Sequence, residues 1–131
     1  MVNTEKSAPL VIVVDDDIDM RNALQQLLEA YGFECIALPD GESLTSMSVE
    51  QKTYCVVIDI FLPGCTGIEA YRQMHDKGQF FPVIFITAHD ESKSRQSVTA
   101  FGAELLLKPF TGRDLIAAIY RAAGPRQSES A

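Results

Sequence analysis

Residues 54–64 read YCVVIDIFLPG. The run Tyr54–Ile58 is continuous and apolar, the pattern of a strand buried on both faces. It ends on an acid, Asp59, and then breaks into a turn at Leu62-Pro63-Gly64. The pattern recurs along the chain. Leu10–Val14 is wholly apolar and runs into Asp15-Asp16-Asp17. Pro82–Ile86 runs into Thr87, and Glu104–Leu107 into Lys108-Pro109. Phe33–Leu38 is a further strand candidate with weaker patterning.

The segments between these runs read as helices. Met20, Leu24, Leu27, Leu28 and Tyr31 recur at helical spacing, and Gly32 supplies a stop. Asp40-Gly41 opens a short helix through Leu44 and Met47. Thr66 and Glu69 form a capping-box pattern at the head of a helix that runs to about His75. A polar helix over 91–100 ends near Phe101-Gly102. Thr111 with Asp114 opens the last helix, whose apolar face is Leu115, Ile116, Ile119 and Ala122; Gly124-Pro125 stops it. Five βα units in succession predict an α/β fold, a doubly wound parallel sheet with helices on both faces. No internal repeat or linker is visible. Residues 9–123 are expected to form one domain, with 1–8 and 124–131 as tails.

Composition narrows the function classes. With 131 residues and 47% hydrophobic content, the chain can build one core and is not expected to be disordered. Its formal net charge of −7, without a basic run, disfavours nucleic-acid binding, which Lys and Arg drive. No apolar run is long enough for a membrane helix, and Met1–Ala8 lacks the pattern of a signal peptide. Cys35, Cys55 and Cys65 show no paired spacing, so reduced thiols and a cytoplasmic location are expected.

In a parallel sheet the C-terminal strand ends share one rim, and open α/β sheets bind ligands there. Four separate stretches therefore bring Asp15, Asp16, Asp59, Thr87 and Lys108 together. Clustered carboxylates repel each other and call for a cation. Mg²⁺ suits hard oxygen donors and keeps some of its waters. A phosphoryl group at such a site needs further positive charge and a hydroxyl donor, which Lys108 and Thr87 supply. A carboxylate nucleophile there forms an acyl phosphate. Asp59, alone at a strand end before a Pro-Gly turn, is the candidate.

Taken together, Val13-Val14-Asp15-Asp16, Asp59 with Leu62-Pro63-Gly64 and Gly67, Ile86-Thr87-Ala88, Gly102-Ala103 and Lys108-Pro109-Phe110 resemble the response-regulator receiver family of two-component signalling. The resemblance covers about Pro9 to Ala123. It implies a flavodoxin-like sheet of strand order 2-1-3-4-5, with Asp59 as phosphoacceptor. It also implies Mg²⁺ held by Asp16, Asp59 and the backbone carbonyl of Phe61, with Asp15 acting mainly through a metal-bound water. Thr87 and Lys108 would bond phosphoryl oxygens, and Lys108-Pro109 would be cis. The implied partners are a histidine kinase or a histidine phosphotransfer protein, with a homodimer on phosphorylation as a further option. The output face would be built by the fourth helix, fifth strand and fifth helix. Receivers of this kind occur in transcription factors and hybrid kinases; no output domain is expected after Ala123. The chain departs from the family at Leu105, where an aromatic switch coupled to the threonine is usual. Phe61 and His89 stand two positions beyond Asp59 and Thr87, where the family tunes phosphate lifetime.

Plainer readings stand beside these. Asp15-Asp16-Asp17 alone would read as a helix cap, and Asp17 is read as a cap or rim charge. His75, late in a helix, reads as a surface residue. His89 is either a gate for water or a partner, or an ordinary loop residue. Cys65 has no basic neighbour in sequence to lower its pKa. Two rival functions remain. An aspartate-nucleophile phosphatase would use Asp15-x-Asp17 with Asp15 as nucleophile. A scaffold with the same fold would take up no phosphate.

Overall fold

A computed structural model describes residues 8–47 and 53–124. The elements alternate without exception: β1 (Leu10–Val14), α1 (Ile18–Ala30), β2 (Glu34–Leu38), α2 (Gly41–Ser46), β3 (Thr53–Asp59), α3 (Gly67–Asp76), β4 (Val83–Thr87), α4 (Ser92–Ala100), β5 (Glu104–Leu107) and α5 (Gly112–Ala123). The strands form one parallel sheet in the order β2-β1-β3-β4-β5. The tails expected at 1–8 and 124–131 lie, apart from Ala8 and Gly124, outside the described residues.

Strand alternation splits the core into two layers. Val11, Val13, Cys55, Val57, Ile84 and Ile86 face Leu24 and Leu28 of α1 and Leu115, Ile116 and Ile119 of α5. Ile12, Val14, Val56, Ile58 and Phe85 face Leu44 of α2, Ala70, Tyr71 and Met74 of α3 and Val98 of α4. The central strands are therefore buried on both faces, which is why they read as unbroken apolar runs. β2 lies at an edge, with Glu34 and Ile36 exposed, and this accounts for its weaker pattern.

Boundaries differ from the expectation by a residue or so. Phe33 precedes β2; its N–H bonds to Leu28 O at 3.0 Å and its ring packs in the α1–α5 layer. Pro82 lies just before β4, having no N–H for the ladder, but its carbonyl accepts Val56 N–H at 2.9 Å. Met47 caps α2 rather than continuing it. Both capping boxes form, at Thr66/Glu69 and at Thr111/Asp114. α4 has no side-chain cap and buries Val98 alone, so it is the least anchored helix of the α2–α4 layer.

Candidate functional site

Parallel pairing sets the strand ends side by side. Val14 pairs with Ile58, Asp59 with Ile86 and Thr87 with Leu107, so the next residues of β1 and β5, Asp15 and Lys108, emerge on one rim. Four of the sequence-derived candidates meet there by contact or proximity. Carboxylate oxygens of Asp15, Asp16 and Asp59 all lie within 4.8 Å of one another. Lys108 Nζ donates to Asp59 Oδ2 at 2.8 Å and to Asp15 Oδ2 at 3.0 Å. Asp15 is 0% exposed and Asp59 6%, while Asp16 is exposed at the mouth. Thr87 is fully buried and adjoins the site through its strand; Lys108 N–H bonds to its carbonyl at 2.8 Å.

The loops are shaped by their own backbone amides. Asp59 Oδ1 accepts Phe61 N–H at 3.0 Å, which curls the β3–α3 loop over the acid. Asp15 Oδ1 accepts Asp17 N–H at 3.0 Å. Asp17 itself caps α1, accepting the N–H groups of Asp19 and Met20. Of the three successive aspartates, then, two face the rim and the third serves the helix. Thr87 Oγ1 accepts His89 N–H at 3.1 Å and donates to His89 O at 3.3 Å. The His89 ring meets the exposed Phe61 ring edge-on, with centroids 5.2 Å apart, across the mouth.

Two contacts of structural weight were not legible from sequence, one made by Gly67, a residue of the family pattern, and one by Arg21, which was not singled out. Gly67 opens α3 against the phosphoacceptor candidate: a Cβ there would lie 2.3 Å from Asp59 O. Only a glycine lets the helix start this close to the β3 end. Arg21, in the first turn of α1, donates from Nη1 to Asp15 O at 2.9 Å. Its place near the start of the helix, where the dipole disfavours a cation, was the available signal.

Electrostatics follow from burial. Burial pushes the Asp59 carboxyl above the usual carboxylate range; Lys108 and Phe61 N–H oppose that rise, and the charge of Asp15 adds to it. Burial also opposes the Lys108 ammonium, yet hydrogen bonds and charge from Asp59 and Asp15 win and raise its pKa. A cation is thus held between two desolvated carboxylates. The cysteines lie apart from this chemistry. Burial pushes Cys35 and Cys55 up to about 12 and also raises Cys65. Leu105 is half-buried against the α2–α4 layer. Lys108-Pro109 is cis, as the resemblance implied. His75 is exposed on the last turn of α3, packed against Phe80. Among the described residues, no helix is long and apolar enough to cross a membrane.

A parallel five-stranded sheet that brings three acids and a lysine to its C-terminal rim, with a buried threonine beside them, outlines a charged ligand site at the switch point. Comparison with known proteins makes the class specific. The family model described as "Response regulator receiver domain" matches residues 11–120, and the chain belongs to that family, the receivers of two-component systems. Nodulation protein W of Bradyrhizobium diazoefficiens is 32% identical over 122 residues, which cover 92% of this chain and 54% of that protein. The C4-dicarboxylate transport transcriptional regulatory protein DctD of Pseudomonas aeruginosa is 34% identical over 113 residues, covering 86% and 24%. This chain therefore spans about half or less of those relatives. Among solved structures, chemotaxis protein CheY4 of Vibrio cholerae superposes with a TM-score of 0.79 at 25% identity, covering 88% of this chain and 98% of that one. The class is one of signalling receivers rather than conventional enzymes.

Proposed function

We propose that residues 9–123 act as one receiver unit in which Asp59 accepts a phosphoryl group from a histidine kinase or histidine phosphotransfer protein. The reaction is Mg²⁺-dependent and switches a protein-interaction surface. The observation that carries this reading is the Lys108 ammonium bridging Asp15 and Asp59 within a three-acid cluster.

The donor set fits Mg²⁺: hard carboxylate oxygens close together, with one acid exposed so that bound waters can remain. Asp15, Asp16, Asp59 and the Phe61 carbonyl would hold it. When bound, the ion neutralises charge on phosphoryl oxygens. The protein's own groups do the rest. An Asp59 oxygen forms the new bond to phosphorus as the donor's P–N bond breaks, and the departing imidazole keeps the electron pair and takes a proton. Lys108 exchanges a carboxylate oxygen for a phosphoryl oxygen, so its charge is never left unpaired. Thr87 turns its hydroxyl from His89 O toward the phosphoryl group. Phe61 N–H keeps Asp59 oriented throughout.

The phosphatase alternative is disfavoured locally. Asp15 is wholly buried and hydrogen-bonded by Asp17 N–H and Lys108, and the Asp17 carboxylate is committed to the α1 cap. Output is assigned to the face of α4, β5 and α5, through a partner protein or a second copy of the chain, in the cytoplasm and without direct nucleic-acid contact. The lightly anchored α4 and half-exposed Leu107 support that assignment. The test is phosphoramidate uptake with and without Mg²⁺ in wild type, Asp59→Asn and Asp15→Asn. Acid-stable uptake by Asp59→Asn at the wild-type level would overturn the reading.

A further inference from the structure

The loop carrying Asp15 and Asp16 has to present one buried and one exposed carboxylate at a fixed separation. Asp15 is secured at several points. Its N–H bonds to Leu38 O at 3.1 Å, its Oδ1 accepts Asp17 N–H and its Oδ2 accepts Lys108. Asp16 has no comparable burial, because its side chain is exposed. What aims it is the backbone beneath it, and the next anchor of that backbone comes from α1. Arg21 N–H bonds to Asp17 O at 2.9 Å, the first turn's own hydrogen bond. The same residue's guanidinium reaches back to Asp15 O at 2.9 Å. That carbonyl belongs to the peptide joining Asp15 to Asp16. A peptide is planar, so holding its oxygen also holds the N–H and the Cα of Asp16, the point from which its side chain leaves the loop.

From this bond we infer that Arg21 is a positioning residue that pre-sets Asp16 for the divalent cation; the inference rests on the reading of Asp15, Asp16 and Asp59 as the metal cluster. Arg21 touches neither metal nor phosphate in this role. It acts through the Asp15 carbonyl, as outer-shell partners do when they orient a ligand. Arginine suits the position because its several N–H donors let one hold a carbonyl while the rest stay solvated.

Position and charge predict opposite signs. A guanidinium near the cluster repels Mg²⁺, so removing a residue that acted only through charge would tighten binding. Removing a residue that aims Asp16 weakens it. The experiment is calorimetric titration of Mg²⁺ into wild type, Arg21→Met, Arg21→Lys and Asp16→Asn, with thermal unfolding of each in EDTA. Methionine keeps the apolar stem and removes the donor. Arg21→Met is expected to bind Mg²⁺ roughly tenfold more weakly, the low end for an outer-shell partner. Arg21→Lys should recover most of that loss, and the Arg21→Met unfolding temperature in EDTA should stay close to wild type. Unchanged or tighter Mg²⁺ binding by Arg21→Met overturns the inference. So does a lower unfolding temperature in EDTA combined with no rescue by lysine, which would mark a purely structural role. If wild type and Asp16→Asn bind Mg²⁺ equally, or neither binds, the metal-cluster reading itself fails. If Asp16→Asn loses binding and Arg21→Met keeps it, only the role of Arg21 fails.

Discussion

Replacing Lys108 with methionine removes the cation between two desolvated acids while keeping an apolar stem. Each ammonium–carboxylate contact is about 3 Å long, worth about 5 kcal/mol gross at an effective dielectric near 20. The gross figure is not the loss, because the ammonium no longer has to be buried and the acids can respond. Breaking a buried pair by removing one partner costs about 3–5 kcal/mol. The site also has an escape route: one carboxylate can take up a proton. At pH 7 that costs about 4 kcal/mol for a group whose unfolded pKa is near 3.9, since each pH unit is worth about 1.4 kcal/mol. Lys108→Met should therefore lose about 4 kcal/mol at pH 7 in EDTA, and about 1.4 kcal/mol less for each unit the pH falls toward 5. The chain has no tryptophan, so urea unfolding is best followed by far-ultraviolet circular dichroism. Added Mg²⁺ should return part of the loss by replacing the missing positive charge. A loss under about 1 kcal/mol at pH 7, or one independent of pH, would show that the acids are not held together by this cation.

Other perturbations follow from the same geometry. Because Asp59's pKa is raised in the fold, the folded state keeps its proton to higher pH than the unfolded chain does. The stability from this group is present below the ordinary carboxylate range and is lost as pH rises through the folded value. Asp59→Asn removes that loss, so in EDTA its stability advantage over wild type should grow between acidic and neutral pH; a constant or shrinking difference in urea titrations refutes it. Gly67→Ala drives a Cβ to 2.3 Å from Asp59 O; backbone must shift, and the unfolding temperature and the rate of phosphate uptake should fall together. Thr111→Ala removes one arm of the α5 capping box and should cost about 1 kcal/mol, without changing uptake. With Cys35 and Cys55 pushed up to about 12 and partly or fully buried, a thiol reagent at pH 8 should reach Cys65 first, and all three thiols only on unfolding.

The parallel sheet was legible because burial on both faces leaves a strand no reason to be polar. Leu10–Val14 and Tyr54–Ile58 carry that mark, while edge strand β2 carries it faintly because half of it faces water. The site was legible for a related reason. Each strand end is where apolar sequence stops, so Asp15, Asp59, Thr87 and Lys108 stand out against the runs before them. Two features were hidden. Arg21 reaches the acid loop across a helix turn, and its partner is a backbone carbonyl that has no residue identity to read. The contact between Gly67 and Asp59 O depends on how closely α3 starts to the sheet, a distance that no residue type encodes. The Thr87–His89–Phe61 chain was readable as positions but not as contacts, because it runs between two loops. Leu105 shows the reverse case: its identity is plain in the sequence, and its half-buried placement leaves the α2–α4 layer packed without an aromatic there.

The most direct test is to locate the phosphoryl group itself. After reaction with phosphoramidate and Mg²⁺, borohydride reduction converts an acyl phosphate to the corresponding alcohol and marks the residue permanently for peptide mass spectrometry. A single mark is expected at Asp59, in the peptide that contains Tyr54–Pro63, and none when Mg²⁺ is chelated. A mark at Asp15 or Asp16, or phosphate recovered on a histidine or serine, would contradict it.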